Sequence, residues 1–296
     1  NVLKGQAATT AGAWATGGNL NTARQQLAGG GIQDSALAFG GENSGTAQLG
    51  LTESYDGTSW TEVADLNTAR NYNGGTGTSN TAALSVGGFA SSNPVAVVEL
   101  WGGSSWTEVA DLNTARNGLA VGGTTTSSVA AGGDSSPTAA RAKAETWNGS
   151  NWTEITDLNS ARDGIAGAGA SNTSAIVFGG FTPPISGVTE TWNGSSWTEV
   201  NDLNTARVQA GGTGIVTSAL AFGGDTPSIT ANTESWNGTN WTETGNLSVA
   251  RKVLASAGVN STSALAAGGG LPSPQTAATE EFTGAGSGLT RTFTDS

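Results

Sequence analysis

The chain of 296 residues contains no cysteine, no histidine and no methionine. Without cysteine it can form no disulfide, use no thiol in catalysis and build no thiolate metal site. Without histidine it lacks both the commonest metal ligand and the commonest general base. Thiol enzymes, Cys/His metal centres and histidine-based catalysis are therefore excluded by composition.

Positive charge and long apolar runs are also scarce. Eleven Lys and Arg stand against 23 Asp and Glu, which gives a net charge of −12 and a sequence pI near 4.3. An acidic chain lacks the basic patch that nucleic-acid binding requires. The chain also has no apolar run of about 18 residues, the length that a membrane-spanning helix needs. We therefore predict no binding to nucleic acid and no membrane insertion.

The chain contains one sequence repeat in six copies. A tryptophan is followed ten residues later by an arginine, then by a Gly-Gly pair, then by Glu-x-aromatic. The tryptophans are Trp14, Trp60, Trp106, Trp152, Trp197 and Trp241. The arginines are Arg24, Arg70, Arg116, Arg162, Arg207 and Arg251, at intervals of 46, 46, 46, 45 and 44 residues. A fixed period of this length indicates a repeat architecture.

Each unit contains four short β-type runs, of which the last two flank an Asn-Gly or similar turn, the strongest short hairpin signal. Nothing has helical periodicity over a useful length. The sequence predicts an all-β, six-bladed β-propeller with four antiparallel strands per blade. The residue seven after each arginine is always glycine, as expected for inner strands that crowd around an axis.

The ends of the chain complete the predicted ring. The sequence starts with a fourth-strand copy at 13–14 and ends with a third-strand copy at 279–282. The last blade is therefore expected to combine N- and C-terminal strands, which removes open sheet edges. We predict a propeller over residues 1–284 and a tail or linker over 285–296.

The order of arginine, Gly-rich strand, Gly-Gly, Glu-x-aromatic and tryptophan resembles the kelch repeat over residues 13–284. The regular Trp-Asn-Gly-Ser-Ser-Trp-Thr-Glu style also resembles kelch-like repeats of phage and environmental bacterial surface proteins. The resemblance implies a propeller that binds partners through the face carrying the arginines. The copper chemistry of galactose oxidase, a kelch relative, is excluded because the chain lacks its histidine ligands and its cysteine-modified tyrosine.

The carboxylates indicate no other catalysis. Most of the 23 acidic residues recur at fixed repeat positions, which favours a scaffold role. The others form no evident pair of the kind that glycoside hydrolysis uses. They are Asp34, Glu42, Asp56, Asp134, Asp163, Asp225, Glu281 and Asp295. We predict no enzyme activity, no cofactor and no metal site.

Two sets of residues are candidates for binding. The six repeat arginines would surround the axis on one face, where guanidinium groups suit carboxylate ligands. The alternative is structural, with each arginine binding neighbouring carbonyls or a glutamate. The loops after Gly-Gly differ most between copies, and variable loops on a rigid scaffold commonly carry binding sites. In these loops Phe89, Arg141 and Phe181 are the side chains most typical of interfaces.

The sequence therefore predicts a non-catalytic recognition module, outside the cell or on a virion surface, that contacts a glycan or a protein. One alternative is a structural subunit of a viral or extracellular assembly that packs against sister subunits. A glycan-active enzyme is a third hypothesis.

Overall fold

The computed structural model describes residues 11–43, 47–135, 142–271 and 274–285, and within these ranges it contains 26 strands and no helix. The strands form six four-stranded antiparallel sheets and one two-stranded hairpin. The six sheets are the blades of a β-propeller, which confirms the predicted fold.

The blades follow one another along the chain, and within each blade the first strand lies at the axis and the fourth at the rim. Strand β1 (Ala13–Thr16) is the outermost strand of blade 6. Blade 1 contains β2 (Ala28–Ile32), β3 (Ser35–Phe39), β4 (Thr52–Tyr55) and β5 (Trp60–Val63). Blade 2 contains β6 (Gly74–Ser79), β7 (Ala82–Val86), β10 (Val98–Trp101) and β11 (Trp106–Glu108), with the hairpin β8 (Phe89–Ala90) and β9 (Asn93–Pro94) between β7 and β10.

The remaining blades repeat this order. Blade 3 contains β12 (Ala120–Thr124), β13 (Ser127–Ala131), β14 (Ala144–Trp147) and β15 (Trp152–Glu154). Blade 4 contains β16 (Ala166–Ser171), β17 (Ser174–Phe178), β18 (Thr189–Trp192) and β19 (Trp197–Val200). Blade 5 contains β20 (Gly211–Ile215), β21 (Ser218–Phe222), β22 (Thr233–Trp236) and β23 (Trp241–Glu243). Blade 6 contains β24 (Ala255–Asn260), β25 (Ser263–Ala267), β26 (Thr279–Thr283) and β1.

Blade 6 closes the ring with strands from both ends of the chain, as predicted. Strand β1 pairs antiparallel with β26, and Trp14 lies opposite Phe282. Across the seam between blades 6 and 1, the buried Tyr55 hydroxyl donates to Glu281 Oε1 at 2.5 Å. Burial and this carboxylate raise the pKa of Tyr55 to about 12. The phenol therefore stays a neutral donor at physiological pH and links the closing blade to the first.

The inner strands approach one another so closely that glycine is required between them. Each first strand packs against the first strands of both neighbouring blades, in a closed circle. A Cβ atom on Gly122 would lie 2.5 Å from the backbone carbon of Ala168 in the next blade, and one on Gly29 would lie 2.6 Å from the Ser256 carbonyl oxygen. The crowded axis explains why glycine is common in strands that it would otherwise destabilise.

The tryptophans fill the space between blades. The fourth-strand Trp241 of blade 5 packs edge-on against Phe178 of blade 4, with ring centroids 4.8 Å apart. Its Nε1 donates to the Thr189 hydroxyl of blade 4 at 3.1 Å. Trp152 of blade 3 departs from this pattern, because the preceding blade has Val98 at the position of the accepting threonine. Trp152 Nε1 is consequently buried without a hydrogen-bond partner.

Substituting Val98→Thr is expected to stabilise the fold by about 1 kcal/mol, because it supplies the missing acceptor at nearly constant side-chain volume. The free energy of unfolding from denaturant titration measures the gain. Thr189→Val is the matched control and should cost about 1 kcal/mol or more by leaving Trp241 Nε1 unpaired. Equal losses in both variants would contradict this account of the Trp152 environment.

Candidate functional site

The two faces of the propeller carry different connections. The first strand of every blade begins, and the second ends, on what we call the loop face. This face is formed by the Asp-Leu-Asn-x-Ala-Arg segments and the segments after Gly-Gly. Backbone bridges such as Asn71 to Phe89 and Asp163 to Phe181 join these two sets of segments. The hairpin turns between strands one and two and between strands three and four form the opposite face, the turn face.

The six repeat arginines lie beneath the loop face and have at most 1% of their surface exposed. Each forms an ion pair with the Glu-x-aromatic glutamate of its own blade. The pairs and nitrogen–oxygen distances are Arg70–Glu99 (2.5 Å), Arg116–Glu145 (2.9 Å), Arg162–Glu190 (2.8 Å), Arg207–Glu234 (2.5 Å), Arg251–Glu280 (3.0 Å) and Arg24–Glu53. Burial lowers the pKa of each of these arginines, and the paired carboxylate opposes that shift.

The second carboxylate oxygen of each pair holds the loop that precedes the arginine. In blade 2, the Asn67 backbone N–H and side-chain Nδ2 both donate to Glu99 Oε2 at 2.7 Å. The same Nδ2 donates to the Trp106 carbonyl at 3.0 Å. Buried charges of this kind are tolerated only when paired and hydrogen-bonded. The geometry therefore matches the structural alternative for the six repeat arginines, and none of these six guanidinium groups is presented to a ligand at the surface.

The two predicted aromatic side chains lie on different blades. Phe181 on blade 4 is 37% exposed, whereas Phe89 on blade 2 is half-buried. Both follow Gly-Gly on the loop face, but blade 3 separates them. Arg141 lies outside the described residues. The two aromatic side chains are therefore separate features of the loop face rather than one contiguous patch.

A ring of residues around the axis is the main feature that sequence reasoning missed. Its members stand two residues after each arginine: Gln26, Tyr72, Gly118, Gly164, Gln209 and Val253. The N–H of each donates to the carbonyl of the member in the preceding blade, at 2.8–3.0 Å, so that six hydrogen bonds close a circle. All six residues have left-handed backbones, with φ between 49° and 62°. We call these residues the axial ring.

The axial ring surrounds the loop-face mouth of a central cavity. The cavity has a volume of about 350 Å³ and is lined by the first strands of all six blades. Its lining contains no charged side chain within the described part of the chain. The hydroxyl groups of Thr76 and Thr213 donate to carbonyls of neighbouring blades at 2.7 and 2.6 Å. The inner wall is therefore uncharged and combines apolar side chains with backbone and hydroxyl groups, and the variable chemistry is concentrated at the mouth.

The charged groups beside the mouth are engaged, including Asp134 and Asp163 next to Gly118 and Gly164. Glu42 accepts hydrogen bonds from Gln25 Nε2, Gln26 Nε2 and Asn71 Nδ2 at 2.7–2.9 Å. Lys252 Nζ lies 2.7 Å from Asp225 Oδ2 of the adjacent blade.

The phenol of Tyr72 is half-buried at this mouth. Burial and the Glu42 charge raise its pKa, while a hydrogen bond with the Gln209 side chain, in the opposite blade, lowers it. Because the net shift is upward, the phenol stays protonated at physiological pH. Tyr72 and Gln209 thus place two neutral hydrogen-bonding groups near each other across the axis.

Comparison with known proteins adds no assignment. No protein-family model matches this sequence, and a search of curated proteins finds no matching relative. The described residues contain no group of three or more acidic side chains placed to hold a metal ion. Nor does any helix long and apolar enough to cross a membrane occur among them. The candidate site therefore rests on the geometry of the loop face alone.

Proposed function

We propose that this protein is a non-catalytic recognition module that binds a glycan or a protein through the loop face, outside the cell or on a virion surface. β-Propellers commonly serve as binding modules. The observation that carries the proposal is the contrast between identical buried positions and differing loop-face positions in the six blades.

The contrast is clearest on the loop face, at the position two residues after the first glycine of each Gly-Gly pair. That position is occupied by Glu42, Phe89, Asp134, Phe181, Asp225 and Gly270. Carboxylates, aromatic rings and a glycine thus alternate around the axis. The turn face instead repeats Asn-Gly-Ser or close variants in most blades. A rigid scaffold that varies its side chains on one face is how proteins usually display a binding site.

The positions of the first and last strand ends also favour the loop face as the binding face. Ala13, where the first strand begins, pairs with Thr283, where the last strand ends, on the turn face. The loop face is thus free of the points at which the chain enters and leaves the propeller. The resemblance to kelch repeats, whose partners bind the corresponding face, favours the same assignment.

Binding is tested with an array of oligosaccharides and an array of purified extracellular protein domains. We expect the wild-type protein to bind at least one probe, and Phe181→Ala to weaken that binding several-fold. Val259→Ala is the control, because Val259 is a comparably exposed hydrophobic residue, at 48%, on the turn face. Loss of binding in Val259→Ala but not in Phe181→Ala would move the site to the turn face.

The same purified protein and arrays also test the two alternative functions, a structural subunit and a glycan-active enzyme. A structural subunit is expected to self-associate through a large interface, visible by light scattering, and to bind nothing on either array. A glycan-active enzyme would release products from an oligosaccharide of the array. Either result would overturn the recognition proposal.

A further inference from the structure

The axial ring keeps side chains where the backbone favours glycine. A left-handed φ is unfavourable for residues with a Cβ atom, and most unfavourable for bulky or β-branched ones. Blades 3 and 4 place Gly118 and Gly164 at this position, whereas blade 2 places Tyr72 at φ 50° and blade 6 places Val253 at φ 49°. Strained residues of this kind cluster at functional sites, so Tyr72 is a candidate contact residue.

The two glycines are adjacent in the ring and give the mouth an open side. The nearest atom to a Cβ placed on Gly118 would be the Gly164 backbone nitrogen, at 3.3 Å. A Cβ placed on Gly164 would instead lie 2.6 Å from Val208 Cγ2, so the gap is open at Gly118 and bounded by Val208 at Gly164. Tyr72 borders this gap on one side and Gln209 on the other. A ligand can therefore enter beside the Tyr72 ring and reach the amide of Gln209.

The charges at the mouth favour an uncharged ligand. The cavity lining carries no charged side chain among the described residues. Glu42 already accepts three amide hydrogen bonds, and Asp225 is paired with Lys252. Asp225 Oδ1 has no hydrogen-bond partner among the described residues, but it is buried and so is not presented to a ligand. Asp134 and Asp163, next to the glycine side of the mouth, also have interaction partners. None of these four carboxylates is therefore an exposed, unpaired acceptor for a cationic group. An anion would meet the negative charge of Glu42, which already acts on Tyr72.

The small apolar area disfavours a broad protein interface centred here. The large hydrophobic side chains exposed among the described residues are Phe181, Val249 and Val259, on blades 4 and 6 and on both faces. Protein interfaces usually centre on contiguous buried anchors. A concave neutral mouth with one aromatic ring and converging hydrogen-bonding groups is typical of a small-ligand site.

We propose that the axial mouth binds the terminal residue of a neutral glycan. The sugar ring packs its C–H face on Tyr72, and its hydroxyl groups bond to the Tyr72 phenol and the Gln209 amide. The inference rests on the recognition function proposed above and specifies its ligand class and its central contact residue.

The test uses an array with matched pairs of oligosaccharides. Each pair contains a galactose-terminated chain and the same chain capped with sialic acid, and glucose- and mannose-terminated chains complete the set. Wild-type protein is expected to bind at least one neutral chain. If that chain is galactose-terminated, its sialylated partner should bind at least tenfold more weakly. Tyr72→Gly should reduce affinity at least tenfold, and Tyr72→Phe, which keeps the ring, should reduce it less.

The variants are expected to fold, because the axial ring uses only backbone groups for its hydrogen bonds and tolerates glycine in blades 3 and 4. Circular dichroism and cooperative unfolding check this, and Ser150→Ala, in an exposed hairpin turn of the turn face, serves as the control with unchanged affinity. Neutral-glycan binding that survives Tyr72→Gly but not Phe181→Ala would overturn the axial site and keep the recognition function. Binding to protein domains alone would do the same. No binding to either array would overturn both.

Discussion

Arg162→Met is expected to lower the free energy of unfolding by about 3–5 kcal/mol, because it leaves the Glu190 carboxylate buried without its counter-ion. Both side chains are fully buried, and their charged atoms lie 2.8 Å apart. Methionine keeps the apolar stem of the arginine and removes only the charge and its donors. Chemical denaturation measures the loss, with the m-value, the dependence of the free energy of unfolding on denaturant concentration, fitted separately for each variant.

Lys143→Met provides the matched control at an exposed ion pair. Lys143 Nζ lies 3.0 Å from Glu154 Oε1, but the two side chains are 37% and 49% exposed. Exposed pairs of this kind contribute about 1 kcal/mol or less. A double variant, Arg162→Met with Glu190→Gln, should recover part of the loss. If Arg162→Met were no more destabilising than Lys143→Met, burial would not explain the contribution of the repeat arginine to stability.

Gly122→Ala is expected to cost about 2–3 kcal/mol, although it adds a single methyl group. The new Cβ would lie 2.5–2.7 Å from the backbone of Ala168 and Gly169 in the next blade. No flexible side chain is there to move aside, so the inner strands of blades 3 and 4 must separate. Thermal unfolding should show a lower midpoint for this variant.

Gly102→Ala is the control for the methyl group itself. Gly102 lies in the exposed hairpin turn of blade 2, and a Cβ there would have no atom within 4 Å. Where its backbone conformation suits alanine, such a change is neutral or slightly stabilising. A comparable loss in both variants would show that the cost at Gly122 does not come from the close approach of the two blades.

These two expected results also separate scaffold from site. The arginines and the inner-strand glycines recur in every blade, and their substitution should change stability wherever it is made. Tyr72 belongs to one blade only, so its substitution should change binding while the ring of backbone hydrogen bonds persists. Stability and affinity measured on the same variants therefore distinguish the two roles.

Much of the architecture could be predicted because its signals are local and repeated. The interval between arginines, the Asn-Gly hairpins and the Gly-Gly pairs predicted six blades of four strands. The split repeat at the termini predicted closure by β1 and β26. Each signal lies within about 45 residues, and six agreeing copies left few alternatives. The Tyr55–Glu281 contact across the seam could not be predicted, since it joins residues 226 positions apart.

The sequence by itself determined the fold, the blade order and the composition of the loops. It also showed that each arginine recurs at a fixed position, but it could not show whether the guanidinium groups face solvent. Only the tertiary structure showed that the guanidinium groups are buried. Each arginine is buried against a glutamate 27–29 residues further along the chain, which strand pairing within the blade brings next to it. The axial ring was likewise decided by tertiary structure. Its six members come from six blades, and their left-handed backbones follow from hydrogen bonds that exist only once the circle is closed.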